Sequence, residues 1–253
     1  MTDVLLTYGW VRSSYSALRN LKKHGLQVVV SDSSRIGMSQ FSRFSAGFQK
    51  YTSHYEDENK FISDILQICL SKKVKLILPS HNETEIIARH RHKFPDDLVA
   101  MIPDESHCRM FNNKSDAYDY VTNLDVPVPC RIKYVDPNLV SQVLKQNGVE
   151  KTVIKLLTGN SGKGVFYGTN PEHAQNIVKE LIEKYNLIPS RYPQIEEYVE
   201  GEGYGCSVLY SNGTFIAHFT HRRLRDKIET GGTSTFREAA VHEGIESATK
   251  TIF

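Results

Sequence analysis

Cysteine is scarce and scattered: Cys69, Cys108, Cys130 and Cys206 are widely spaced in 253 residues and form no CxxC pair. That spacing excludes a disulfide framework and the paired-cysteine motifs. Cys69 falls on an apolar helical face and Cys206 opens an apolar strand, so buried thiols in a reducing compartment are expected. No run approaches 18 consecutive apolar residues, which excludes a membrane-spanning helix from the reading. The N-terminus places Asp3 before the short apolar run Val4–Leu6, wrongly flanked for a signal peptide. An excess of one charge is also missing, since 31 Lys and Arg against 29 Asp and Glu leave +2. No global field therefore draws the chain to nucleic acid or to a membrane. The expected location is the cytoplasm, where the sequons at Asn82, Asn113 and Asn212 carry no weight.

What is present describes a globular protein. Apolar residues make up 40% and charged residues 24%, with 16 Gly and 9 Pro, a composition unlike disordered, collagenous or coiled-coil chains. A chain of this length buries roughly 70–75% of its unfolded surface and accommodates two modest domains. In the first hundred residues, nearly continuous apolar runs at Val4–Tyr8, Gln27–Ser31, Lys75–Pro79 and Leu98–Ile102 read as strands buried on both faces. Between them, Tyr15, Leu18 and Leu21 mark one helix, stopped at His24-Gly25, and Phe61 to Cys69 mark another. A third helix is expected over Thr84–His92. Alternating strands and helices with short links predict a doubly wound parallel sheet. It is not a dinucleotide site: Tyr8-Gly9-Trp10-Val11-Arg12 holds one glycine where the fingerprint needs three, and Asp32 reads as a turn residue. His90 and His92, two apart on a helix with no cysteine near, read as surface residues.

The pattern changes at Asn113. A helix over Ser115–Asn123 runs into Val126-Pro127-Val128-Pro129, whose prolines force extended backbone. Asp136-Pro137 opens a helix to about Gln146. The strand Thr152–Leu157 carries Lys155 at its middle and leads through Thr158-Gly159-Asn160-Ser161-Gly162-Lys163-Gly164 to a strand at Val165–Tyr167. Asn170-Pro171 then caps a helix with apolar residues from Ala174 to Tyr185 at helical spacing. A glycine-rich turn with Ser and Lys at its tip suits either a flap over phosphates or an ordinary hairpin loop. Its glycines let successive N–H groups face one anion, and a lysine adds charge. It is not a Walker loop, since only two residues separate Gly159 from Gly162 and a strand follows. Gln194–Val199 reads as a strand with two acids, Glu196 and Glu197, and Cys206–Tyr210 turns back through Asn212-Gly213 into Phe215–Thr220.

In this order, Asn113-Lys114, the Val-Pro-Val-Pro turn, Val153-Ile154-Lys155, the Gly159–Gly164 loop, Glu196-Glu197-Tyr198-Val199 and the hairpin resemble an ATP-grasp protein. His221 to Lys227 before Thr230-Gly231-Gly232 is most similar to the carbamoyl-phosphate-synthase-like carboxylate–amine ligases. The resemblance covers essentially the whole chain. It implies an α/β protein in which residues 1–111 form a Rossmann-like pre-ATP-grasp domain with the doubly wound parallel sheet. Residues 112–253 form an α+β ATP-grasp domain lacking its C-terminal part, with 112–199 as the small subdomain and 200–253 as the start of the next.

The resemblance further implies that Lys114 and Lys155 reach the phosphates of ATP and that Gly159, Ser161, Gly162, Lys163 and Gly164 close over them. Glu196 would accept from the adenine amino group, the backbone of Glu197 and Val199 on either side of Tyr198 would read the base edge, and Glu202 is a misregistered candidate for the ribose. Arg223 and Arg225 would face the carboxylate, since a guanidinium pairs bidentately with such groups. Each has a plainer reading: a solvated first-turn lysine, a strand-edge lysine, a solvated strand end. Neighbouring strand residues face opposite ways, so one of Glu196 and Glu197 is a surface acid. RNA binding by the arginine run is the weaker reading, for want of interleaved aromatics. The implied reaction activates a small-molecule carboxylate as an acyl phosphate for attack by an amine, with Mg²⁺ on the phosphates; a homodimer is compatible. Glu238, Glu243 and Glu246 do not form the acid and Glu-x-Asn pattern that holds the metal, so its ligands are unassigned and a fragment of a longer ligase is expected. The alternative is a non-catalytic nucleotide-binding or interaction module. An amphipathic helix is expected around Ile245, Ala248 and Ile252.

Overall fold

A computed structural model describes residues 2–159, 162–228 and 231–253. The chain divides into two compact units, Met1–Arg109 and Met110–Phe253.

In the first unit, β1 (Thr2–Leu6), α1 (Arg12–Lys23), β2 (Val28–Asp32), β3 (Gly47–Lys50), α2 (Glu58–Lys72), β4 (Val74–Leu78) and α3 (Glu83–Arg89) follow in order. The strands lie β3-β2-β1-β4, all parallel. Strand periodicity sends alternate residues of β1 and β2 into two cores. Val4, Leu6, Val28 and Val30 pack with Leu18 of α1, while Leu5, Val29 and Ile77 pack with Phe61, Ile62 and Ile65 of α2. Each such fully buried side chain contributes about 1.5–3 kcal/mol. Cys69 is buried in the second core, which pushes its thiol up to about 12. The division between units falls within α4 (Glu105–Asn112).

Two expectations fail here. Leu98–Ile102 is no strand but a series of turns between Pro95 and Pro103, tied to the sheet by Ile77 N–H donating to Leu98 O at 2.8 Å. Leu98, Val99 and Ile102 are nonetheless buried, so the apolar run was core without being sheet. The edge strand β3, Gly-Phe-Gln-Lys, has too little apolar character to announce itself. The third helix is shorter than expected and is followed by a 3₁₀ turn, Arg91–Lys93. His90 closes α3 half-buried, its Nε2 at 2.9 Å from Glu58 Oε1.

The second unit holds α5 (Lys114–Thr122), β5 (Arg131–Ile132), α6 (Val140–Gln146), β6 (Thr152–Lys155), β7 (Val165–Gly168), α7 (Pro171–Lys184) and β8 (Gln194–Glu197). After these come β9 (Tyr204–Ser211), β10 (Thr214–Ile228), β11 (Gly231–Ala239) and α8 (Glu243–Ile252). One antiparallel sheet runs β5-β8-β6-β7 and a second runs β11-β10-β9. Asn170 caps α7 by accepting from His173 N–H, with Pro171 at the first helical position. Val140, Leu144, Ala174, Val178 and Leu181 of the two helices bury Ile132, Ile154 and Ile195 of the sheet. β10 is far longer than the expected Phe215–Thr220. Its basic run is strand because charges find partners across the ladder, as Arg222 does opposite Glu238, Nε to Oε1 2.9 Å. The stripe of Ile245, Ala248 and Ile252 forms α8, as expected.

Candidate functional site

The sheet β5-β8-β6-β7 covers one face with helices and presents polar side chains on the other. Because Ile132, Ile154 and Ile195 point to the helices, their neighbours Arg131, Lys155, Gln194 and Glu196 must share the opposite face. Register completes the arrangement: Lys155 lies opposite Gln194, and Val153 opposite Glu196. Lys155 Nζ is 2.5 Å from Glu196 Oε2, and Gln194 Nε2 donates to Glu196 Oε1 at 2.7 Å. Glu196 is 4% exposed, so its carboxylate is desolvated and needs both donors.

Lys114 arrives from α5. Asn113 caps this helix, its Oδ1 accepting from Ser115 N–H at 2.9 Å and contacting Asp116 N–H. That cap sets Lys114 at the first helical position, where its own N–H donates to Leu157 O at 2.8 Å. Its Nζ donates to Gly159 O at 3.0 Å, at the start of the glycine-rich loop. Burial holds the Lys114 ammonium below the ordinary lysine value, and the charge of Lys155 pushes the same way. The two ammonium groups are thus held differently, Lys114 on the carbonyl of Gly159 and Lys155 on the carboxylate of Glu196.

The loop itself demands glycine. Gly159, Gly162 and Gly164 have φ of +120°, +76° and +82°, values that side chains rarely adopt. A Cβ on Gly162 would lie 2.7 Å from Gly232 Cα, so the loop rests against the β10–β11 hairpin. Arg223 reaches the same place, its Nη2 donating to Gly232 O and its backbone N–H to Gly203 O at 2.7 Å. Asp226 pairs with Arg223 at 2.8 Å. Lys163 is exposed, and Ser161 lies outside the described residues.

Other residues singled out by sequence lie at the margins. Glu197 turns away from Glu196: its Oε1 accepts from Cys130 N–H at 2.9 Å. Tyr198 meets Tyr167 edge-on at 6.1 Å, and Val199 is exposed. Glu202 sits at 3.3 Å from Arg222, and Arg225 Nε donates to Thr235 Oγ1 at 3.3 Å. Sequence reasoning passed over Gln194, whose two-residue spacing from Glu196 was the signal that both share a face. It also passed over Arg131, which lies 4.3 Å over the Tyr118 ring and pairs with Asp119. A groove of about 500 Å³ adjoins these side chains, lined in part by Ser115, Asp119, Arg131, Leu157, Tyr192 and Gln194.

A glycine-rich loop between antiparallel strands, a lysine strand beside an acid strand, and a second antiparallel sheet that meets Gly162 of the loop accompany an ATP-grasp fold, and the chain has that fold. The sequence matches no protein-family model and no curated protein; the likeness lies in solved structures. Campylobacter jejuni biotin carboxylase, solved as a β,γ-ATP complex, superposes at a TM-score of 0.70 with 14% identity, over 100% of this chain and 60% of its own. Bacillus licheniformis L-amino acid ligase gives 0.67 and 11%, over 100% and 59%. The biotin carboxylase domain dimer of Hydrogenobacter thermophilus 2-oxoglutarate carboxylase, solved with MgADP, ADP and bicarbonate, gives 0.66 and 16%, over 89% and 51%. The chain thus spans between half and three-fifths of the length of these proteins.

Proposed function

We propose that this chain is an ATP-binding ligase of the ATP-grasp type, activating a carboxylate as an acyl phosphate that an amine attacks. Residues 1–111 serve as its pre-ATP-grasp domain and 112–253 as the ATP-grasp portion. One observation carries the reading: Lys114, on the carbonyl of Gly159 at the glycine-rich loop, feels the charge of Lys155, which itself lies against the desolvated Glu196. Lys114 and Lys155 offset phosphate charge, and the N–H groups of the 159–164 loop orient it. The segment Glu196 to Val199 seats the base, with Glu202 at the ribose. Arg223 and Arg225 hold the carboxylate, Arg223 being the one that reaches the loop through Gly232. Charge neutralisation and positioning supply the catalysis in this scheme; no protein nucleophile is required. Mg²⁺ is the ion such phosphate chemistry employs, and the Hydrogenobacter domain was solved with it. Among the described residues, no group of three or more His, Cys, Asp or Glu is placed to hold a metal. That same observation favours a second reading, a nucleotide-binding module without turnover.

Calorimetry with ATP is the first test. The unaltered chain binds, and Lys155→Ala weakens binding by about 1.5–3 kcal/mol, the range for hydrogen bonds to charged groups. Equal affinity of the two proteins would reduce Lys155 to a structural lysine. ADP release in the presence of Mg²⁺ and a panel of carboxylates and amines then separates ligase from module: binding without any turnover leaves only the latter.

A further inference from the structure

We propose that the first unit docks on the surface of an anionic lipid bilayer through α1 and the loop that follows β2, a role independent of the nucleotide site. The near-neutral whole conceals a segregation of charge. Residues 4–55 hold seven of the 31 Lys and Arg but only one of the 29 acids, which leaves 24 cations against 28 acids elsewhere. That one acid, Asp32, is buried, and its oxygens accept from the N–H groups of Trp10 and Ser34 at 3.0 and 2.8 Å. Arg12 and Arg19 of α1 and Arg35 and Arg43 of the loop are all exposed. None of the seven cations pairs with an acid among the described residues. Unpaired cations gathered on one stretch of surface create a local positive field, whatever the net charge.

The same stretch exposes apolar side chains. Near the start of the loop, a Cβ on Gly37 would meet Trp10 Cα and Cβ at 3.0 Å, and Ser39 N–H donates to Gly9 O at 3.3 Å. Further on, Phe44 packs against the core that includes Leu18, with the guanidinium groups of Arg19 and Arg43 at 5.8 and 5.2 Å from its ring. The loop is thus laid along α1 at both places, yet Trp10, Ile36, Met38 and Phe41 stay exposed, Ile36 at 81% and Phe41 at 76%. Arginines beside projecting apolar groups suit a bilayer surface. The cations meet anionic headgroups, the apolar tips enter the acyl boundary, and tryptophan favours that depth. No helix among the described residues is long and apolar enough to cross a membrane, so the association is peripheral. Two other occupants fit less well. A two-fold pair of chains through this face would set the arginines of one copy against those of the other. RNA would satisfy the arginines but gains little from Ile36 and Met38, which offer no ring for a base to stack on.

The test uses the 253-residue chain and vesicles of phosphatidylcholine, alone or mixed in equal parts with phosphatidylserine. Trp10 is the one tryptophan of the sequence, so its emission reports on this face alone. Mixed vesicles should carry the chain down in sedimentation and shift the emission to shorter wavelength; phosphatidylcholine alone should do neither. Arg35→Gln with Arg43→Gln should weaken the partition about 25-fold, about fivefold for each charge removed. Ile36→Ser with Phe41→Ser should weaken it about tenfold and reduce the shift. Absence of sedimentation with the mixed vesicles overturns the proposal. So does sedimentation with unshifted emission, or binding that both double variants retain in full. In that event a single-stranded RNA bound through the same arginines, or a self-association that Ile36→Ser with Phe41→Ser dissolves, identifies the true occupant. Should a variant not fold by circular dichroism, the unaltered chain decides alone: shifted emission on mixed vesicles supports the proposal, and its absence overturns it.

Discussion

The parallel sheet β3-β2-β1-β4 and the antiparallel sheet β5-β8-β6-β7 dispose of their residues in opposite ways. In the first, β1 and β2 send successive side chains into two separate apolar cores, so the middle of the sheet has no face left for chemistry. Polar groups there gather past the strand ends, as where Thr7 donates to the buried Glu83 at 2.6 Å. In the second, helices cover one face only, and Lys155, Gln194 and Glu196 occupy the other within two strands of four residues each. A sheet covered on one side can carry charged groups at its centre at modest cost, provided they neutralise one another.

The largest effect that sharpens this contrast is expected from Leu5→Ala, at a residue with no exposure in the doubly covered sheet. It should cost about 2–5 kcal/mol in urea denaturation of the first unit. Val153→Ala, on the open face of β6, should cost about 1 kcal/mol or less. Equal costs would mean that the open face is packed like a core. Next in size is Lys155→Ala, which leaves Glu196 buried with a single donor. About 1–3 kcal/mol of stability should be lost, and Glu196→Gln in the same chain should restore part of it. If the double variant is no more stable than the single one, the pair is not coupled.

A smaller loss, about 1 kcal/mol, is expected for Gly162→Ala, whose φ of +76° and close approach to Gly232 both oppose a side chain. ATP affinity should fall with it, because the loop can no longer close as it does; retained affinity would remove the loop from the site.

The subtlest test is alkaline titration. The lowered Lys114 ammonium loses its proton before ordinary lysines do at 10.5. Affinity for ATP should therefore begin to fall on the alkaline side before bulk lysines titrate, and Lys114→Gln should abolish that early step. For stability the sign is reversed: the charged form is the one the fold disfavours, so deprotonation relieves a penalty as pH rises through the lowered value. A profile identical in the unaltered chain and the variant would exclude Lys114 from the phosphate seat.

Much of this was legible in one dimension. Continuous apolar runs announced β1, β2 and β4, and Asn113, Asp136-Pro137 and Asn170-Pro171 marked helix starts through capping chemistry that operates within a turn of backbone. Leu98–Ile102 misled because hydrophobicity reports burial and not hydrogen-bond pattern. β3 and β11 were missed because an edge or hairpin strand draws its stability from a partner distant in sequence. In the site, Lys155 and Glu196 stood out as charges inside apolar strands. Gln194, two residues from Glu196, did not, because a polar residue at a strand start has many uses.

By itself the sequence determined which residues carry charge, which loop is rich in glycine, and where helices begin, since all three follow from local chemistry. Only the tertiary structure decided that Lys114, Lys155, Gln194 and Glu196 belong together, and that Glu196 faces two donors while Glu197 turns aside. Register between β6 and β8 is set by the burial of Ile154 and Ile195 against helices many residues away. A slip of one residue would have sent every polar group of the site into the core.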